Sequence, residues 1–351
     1  MNKFFSNHKN YYQMKRISIT IFLAALLFSL NAQNRASWLK DAKWGVMIHY
    51  QPEWLASEYQ LDSITLDEWN DLIDNFDCEG LATQLSDAGA GYLIITIRHT
   101  PAFLISPNSM YDHYTGQTPS RCSNRDLVVD LYHALNKYGI RLITYIPGHA
   151  PSKNMAEIEG FATTSSDYFK YGPFERNAES ILRWQEVIRE YSMRWGDKVS
   201  GWWIDGCYRP NTRYRQPDVP NFASMAAAAR AGNPQSIVAF NAGVFPRIMS
   251  VTPYEDYTAG EIGDPAGINW MYNYDGLIDG KQIQVLSFLG EFWGKGNPRF
   301  KEEQIIKYSL DINKVGGAVT WDVPPKLDGT ISNDFMKHLH TIGEALGTVQ
   351  K

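Results

Sequence analysis

The chain has 351 residues, with 33 Lys and Arg against 38 Asp and Glu, for a formal net charge of −5. That balance, with no basic tail, argues against nucleic acid as a partner, and the length admits one large domain or two ordinary ones. Three cysteines (Cys78, Cys122 and Cys207) leave at least one unpaired within a monomer and have no metal-like spacing, so they read first as small buried residues.

Lys3, Lys9, Lys15 and Arg16 precede the apolar run "ISITIFLAALLFSL" (17–30), and the small residue Ala32 follows at a plausible cut. This is the pattern of a secretory signal peptide over 1–32. At 14 residues the run is short for a membrane span, although an uncleaved anchor is the alternative. The expectation is a secreted or periplasmic protein with no membrane contact after cleavage.

Beyond residue 34 the chain alternates strand and helix. "WGVMIHY" (44–50) reads as a strand and "CEGLATQLSDAGA" (78–90) as a helix. "YLIITIRH" (92–99) is a strand, "RDLVVDLYHALNKYG" (125–139) a helix and "IRLITYIPG" (140–148) the third strand. A long amphipathic helix (177–196) precedes "GWWIDG" (201–206). "FASMAAAARAGN" (222–233) reads as helix and "SIVAFNAG" (236–243) as strand, whereas "PYEDYTAGE" (253–261) is ambiguous. "IQVLSFLGEFW" (283–293) and "AVTWDVPP" (318–325) are strands, and the helices 301–317 and 332–347 follow them in turn.

Near-continuous apolar strands separated by helices imply a parallel sheet covered on both faces. About eight such units over residues 35–348 fit a single-domain (β/α)8 TIM-type barrel, regular or irregular. A doubly wound open sheet is the competitor. It would be favoured by a glycine-rich phosphate turn after the first strand, and "IHYQPEW" is not one.

In a barrel of this kind the chemistry gathers where strands end. His49, Arg98 with His99, Tyr145 and Asp205 stand at the ends of the first four strands. Asn241 ends the fifth and Glu261 the segment after it. Glu291 with Trp293 end the seventh, and Trp321 with Asp322 the eighth. Each alone is equally a turn former or strand cap, and Asp205-Gly206 is an ordinary turn dipeptide. Together they make a ring of acids, imidazoles and aromatics. No His pair suggests a metal and no Gly-x-Ser-x-Gly elbow is present, so neither metal nor organic cofactor is expected. Two carboxylates among aromatics suit glycoside hydrolysis. Trp and Tyr, at 11 and 20, supply flat faces for sugars.

"GWWIDG" resembles the Trp-Phe-Asp-Gly segment that carries the nucleophile in the α-L-fucosidases of glycoside hydrolase family 29. "AKWGVMIHY" (42–50), "SEYQ" (57–60), "LSDAGAGYLIITIRHTPAF" (85–103), "RDLVVDLYHALNKYGIRLITY" (125–145) and "GGAVTWDVPPKLDGTISNDFMKHLHTIGEAL" (316–346) are similar to further segments of that family, in the same order. The resemblance implies a retaining exo-glycosidase acting on a fucosylated or related carbohydrate. It implies Asp205 as nucleophile, and His49, Glu58, His99, Tyr145 and Trp203 as sugar-pocket residues. Trp293 joins them as a strand-end aromatic. For the acid/base, Glu261 is the first choice, with Glu255 and Glu291 as alternatives. Arg98 stands where the family has a histidine, so it is expected to contact substrate and to set sugar choice. Tyr50 and Gln51 also depart from the family pattern. The rival readings are a glycosidase of the same fold with another sugar specificity, and a degenerate sugar-binding barrel without turnover.

Overall fold

Nine strands form among the described residues. They are β1 (Trp44–Ile48), β2 (Tyr92–Thr96), β3 (Arg141–Pro147), β4 (Gly201–Asp205), β5 (Ile237–Phe240), the small hairpin β6 (Leu277–Ile278) and β7 (Lys281–Gln282), β8 (Gln284–Phe288) and β9 (Ala318–Asp322). The computed structural model describes residues 35–99, 103–150, 155–161, 177–208, 214–268 and 275–349. The expected signal segment, 1–32, lies outside the described residues. Among the described residues no helix is long and apolar enough to cross a membrane.

Seven strands make one parallel sheet in the order β5-β4-β3-β2-β1-β9-β8. Its register brings Thr96 beside Tyr145, Tyr145 beside Trp203, and Met47 beside Asp322. All residues of β1, β2, β4, β5, β8 and β9 are buried. Side chains alternate across a strand, and here both sides meet protein. Met47, Tyr92, Ile94, Tyr145, Trp203, Ala239 and Leu286 pack into an inner cluster. Val46, Ile48, Leu93, Ile95, Trp202, Ile204 and Val319 join the larger cluster under the helices. The sheet is therefore curled around its inner face. Burial of each large apolar side chain stabilises by roughly 1.5–3 kcal/mol.

Helices follow the strands as the sequence pattern requires. Cys78–Ala88, Leu127–Asn136, Ala178–Trp195 and Phe222–Ala229 begin at Asp77, Asp126, Asn177 and Asn221, whose side chains accept a backbone N–H from the first turn. Such caps contribute about 1 kcal/mol each. Helix Asn333–Leu346 returns to pack beside Cys78–Ala88, bringing the last helix next to the first strand-helix unit.

The sixth strand position departs from regularity. The segment 256–262 lies between β5 and β8 without forming a continuous ladder. Asp256 N donates to Val238 O of β5 at 2.8 Å, while Leu286 N donates to Gly260 O and Ile262 N to Leu286 O, both at 2.9 Å. Gly260 has φ +58°, and a Cβ there would lie 1.9 Å from Gln284 O, so the backbone kinks against β8 where only glycine fits. The architecture is a curled parallel half-barrel of seven strands with helices outside, consistent with a (β/α)8-like barrel.

Several expected strands end early, and two of them bear on the site. β8 stops at Phe288, so Glu291 and Trp293 lie in the loop beyond it, and β2 stops at Thr96, so Arg98 and His99 follow a bend. All three cysteines are buried, and burial pushes the Cys78 and Cys122 thiols up to about 12.

Candidate active site

A cavity of about 450 Å³ opens at the carboxyl ends of the strands, and its lining includes His49, His99, Tyr145, Trp203, Asp205 and Glu261. Every one of these is a strand-end or inward-facing residue. Trp203 precedes Asp205 by two in β4, so both face inward, and the Trp203 indole donates to Ala259 O at 3.2 Å. Tyr145 stacks on Trp203 with ring centres 5.1 Å apart, and His99 stacks on Tyr145 at 5.7 Å. Trp54 meets His99 edge-on at 4.6 Å. These four rings form one aromatic wall.

Asp205 is 8% exposed and held from both oxygens. Tyr145 OH donates to Oδ2 at 2.5 Å, and Asn241 Nδ2 donates to Oδ1 at 2.8 Å. His99 Nε2 is 3.9 Å from Oδ2. Burial, and then the nearby Asp205 carboxylate, raise the Tyr145 phenol well above its ordinary pKa, so it stays a donor. Asp205, and then burial, likewise raise Tyr208.

Asn241 Nδ2 also donates to Glu261 Oε2, at 2.6 Å. One amide nitrogen thus spans both carboxylates. Their bonded oxygens can be no further apart than those 2.8 Å and 2.6 Å bonds laid end to end.

His49 lies across the cavity. Its Nδ1 is 2.8 Å from Asp322 Oδ1, and Asp322 Oδ2 accepts Gly294 N at 2.5 Å. With Nδ1 engaged by a carboxylate, Nε2 is the nitrogen left to face a ligand. Gly294 has φ +59°, and a Cβ there would come 2.8 Å from His49 Cβ, so glycine is what lets this loop close over His49. The loop carries Trp293, which lines the cavity and accepts the Trp54 indole N–H at its carbonyl, 2.9 Å away.

Several expected residues lie elsewhere. Arg98 is wholly buried and is not among the described lining residues. It donates to Glu157 Oε1 at 2.5 Å and to Tyr111 OH at 3.0 Å. Burial pulls its pKa down, but Tyr111 and Glu157 more than offset this and hold it above the ordinary value. The expected substrate contact is thus replaced by a buried ion pair. The chain bends after Ile97, which turns Arg98 toward the helix side and His99 toward the cavity.

Glu58 is likewise outside the described lining, and its Oε2 accepts Gly296 N at 3.0 Å, tethering the loop that carries Trp293. Among the acid/base alternatives, Glu291 is exposed and Glu255 wholly buried, neither lining the cavity. Burial raises Glu255 to about 7. Trp321 points outward, its indole donating to Ser309 Oγ at 3.1 Å.

Sequence reasoning placed Asn241 and Asp322 at strand ends without giving them a role, and it missed Trp54, Tyr208, Val244 and Phe292, which line the cavity. Trp54, Tyr208 and Phe292 carried one local signal, as aromatics within six residues of a strand's end. Gln51 also has a use: its Nε2 donates to Thr96 Oγ1 at 2.9 Å and its Oε1 accepts His99 N at 3.2 Å, fixing the backbone of His99. Among the described residues no group of three His, Cys, Asp or Glu is placed to hold a metal ion.

The family model described as alpha-L-fucosidase matches residues 24–349. No curated protein sequence matches the chain. Among solved structures, an endo-fucoidan hydrolase of glycoside hydrolase family 107, MfFcnA4, is similar with a TM-score of 0.69 at 17% identity, over 90% of this chain and 54% of that one. The α-L-fucosidase AlfC from Lactobacillus casei, in complex with α-L-fucose product, has a TM-score of 0.58 at 14% identity, over 89% of this chain and 97% of that one. A bacterial fucosidase with a pyrrolidine-triazole inhibitor has a TM-score of 0.58 at 16% identity, over 89% and 73%. The chain spans 54–64% of the length of the fucoidan hydrolases MfFcnA4 and MfFcnA9 that it matches. At these identities the structural likeness speaks to fold alone.

Proposed function

The chain belongs to the α-L-fucosidase family, and from that premise we propose that it is a retaining exo-α-L-fucosidase with Asp205 as nucleophile and Glu261 as acid/base. The observation that carries this reading is the Asn241 bridge. Retaining glycosidases hold their carboxyl groups about 5–5.5 Å apart, and inverting ones roughly 6.5–9.5 Å apart to admit a water. Two bonds of 2.8 Å and 2.6 Å to one nitrogen keep the bonded oxygens closer together than the inverting range, which supports retention.

In the first step an Asp205 oxygen attacks the anomeric carbon. The bond to the leaving oxygen breaks, and the Glu261 carboxyl gives that oxygen its proton. In the second step the Glu261 carboxylate takes a proton from water, whose oxygen displaces Asp205 from the anomeric carbon. Tyr145 and Asn241 hold the nucleophile, and His49, fixed by Asp322, offers Nε2 to the sugar. The Trp54–Trp293 contact ties the helix after β1 to the loop after β8 at the cavity wall, which supports a site for a terminal sugar. Secretion after removal of 1–32 belongs to the same proposal and is read by N-terminal sequencing of the exported protein.

The roles separate by leaving group. Glu261→Ala should nearly abolish cleavage of natural fucosides while sparing the first step on a dinitrophenyl α-L-fucoside, because protonation, worth roughly 10²–10⁴, matters little for an acidic phenol. Azide should then speed turnover and give the retained fucosyl azide. Equal slowing of both substrates would remove Glu261 from the acid/base role. A panel of aryl glycosides separates fucose from other sugars, and tight sugar binding without turnover would mark a degenerate barrel.

A further inference from the structure

The mouth of the cavity carries apolar side chains that the hydrolytic step itself does not use. Twelve large hydrophobic residues are exposed among the described residues, and three of them, Tyr208, Val244 and Phe292, line this one cavity. Scattered exposed hydrophobics are ordinary on a soluble protein, whereas a cluster at a cavity rim marks a binding surface.

Their placement follows from the order of the strands. Val244 lies on the loop after β5 and Phe292 on the loop after β8, and Glu261 stands between those strands. Local contacts fix both loops beside Glu261. Phe245 N donates to Glu261 O at 3.2 Å. Arg299 Nη2 donates to Gly263 O at 2.5 Å while its guanidinium lies 3.6 Å from the centre of the Phe288 ring, and Phe292 packs 6.0 Å from that ring. Val244 and Phe292 are 54% and 55% exposed, so neither serves the core.

We propose that Val244 and Phe292 form an aglycone subsite that takes the apolar C–H face of a second sugar ring, so that the preferred substrates are fucosylated oligosaccharides. This rests on the assignment of Glu261 as acid. An acid stands on the side from which the leaving group departs, opposite the attacking carboxylate, and these two residues flank that side. A pyranose ring offers a flat patch of C–H groups to an aromatic face, which a small anion does not. Binding gained on the aglycone helps the reaction only for substrates that carry one.

The test uses the full protein and two substrate classes. α-L-Fucosyl fluoride has a leaving group with no carbon surface, and a panel of fucosyl oligosaccharides covers the common linkages. For the best oligosaccharide, Phe292→Ala and the Val244→Ala/Phe292→Ala double variant should lose about tenfold or more in kcat/KM (about 1.4 kcal/mol per tenfold). Hydrolysis of fucosyl fluoride should change by less than twofold. Because both side chains are exposed, the variants should keep the parent Tm, which is measured alongside. Equal losses on both substrates, no loss on either, or a wild type that cleaves the fluoride but no oligosaccharide would each overturn the subsite while leaving the hydrolase intact. A wild type inert toward the fluoride would instead remove the fucosidase reading, and the subsite with it.

Discussion

Asn241→Asp is the substitution that most sharply tests the arrangement of the two carboxylates. The change keeps shape, and it keeps Oδ1, which accepts Gly243 N at 3.0 Å and tethers the loop carrying Val244. What it removes is the Nδ2 donor shared by Asp205 and Glu261, at 2.8 Å and 2.6 Å. A hydrogen bond to a charged group contributes about 1.5–3 kcal/mol. The new oxygen also brings a third carboxylate against the other two. Two charges about 5 Å apart repel by about 3 kcal/mol at an effective dielectric constant of ~20. Even the smaller of these effects predicts a loss of at least about tenfold in kcat/KM on an aryl α-L-fucoside near neutral pH. The introduced carboxyl would regain one donor on protonation, so the variant should recover part of its activity toward acid pH. The assay is a pH profile of kcat/KM beside a melting curve. Activity within threefold of wild type across the profile, with Tm unchanged, would refute the bridge as a functional element.

Arg98→Met should take the guanidinium away from the buried Glu157 carboxylate and destabilise the fold by about 3–5 kcal/mol, read by denaturant titration. Arg98→His should leave the relative kcat/KM between sugars unchanged, and a shifted ratio would return Arg98 to the substrate site. Glu255, whose folded pKa is raised to about 7, contributes stability that is complete below its unfolded pKa near 4.5 and is lost as pH rises through about 7. Glu255→Gln should therefore flatten the fall in Tm between pH 5 and pH 8, and an unchanged slope would contradict that assignment. Asp322→Ala should raise KM by freeing the His49 ring, as competitive inhibition by L-fucose would report.

What the sequence disclosed tracks where local pattern determines geometry. Continuous apolar runs between capped helices required a parallel sheet buried on both faces, and the two side-chain clusters bear this out. Parity along β4 turned Trp203 and Asp205 to the same side. The same rule applied to β9 turns Asp322 inward and Trp321 outward, so one member of the supposed ring belonged to the helix layer. Parity holds only within a strand. Beyond Thr96 the bend reverses it, which is why Arg98 left the cavity and His99 entered it. The sixth segment was ambiguous because its kink depends on Gly260 fitting against β8, a contact invisible in local sequence. Val244 and Phe292 lie in loops, where no period indicates direction. Glu58 carried the right chemistry but is engaged by the Gly296 amide.

The central claim is that Asp205 forms a covalent bond to the sugar, and the most direct measurement is to trap it. A 2-deoxy-2-fluoro-α-L-fucosyl fluoride should load the enzyme quickly and leave slowly, because the fluorine destabilises the charged transition state of both steps while fluoride speeds the first. Intact-mass analysis should show one fluorofucosyl group per chain, and peptide mapping should place it on the segment "GWWIDGCY", on Asp205. No stable adduct, an adduct on another carboxylate, or an inverted product from fucosyl fluoride would contradict the account.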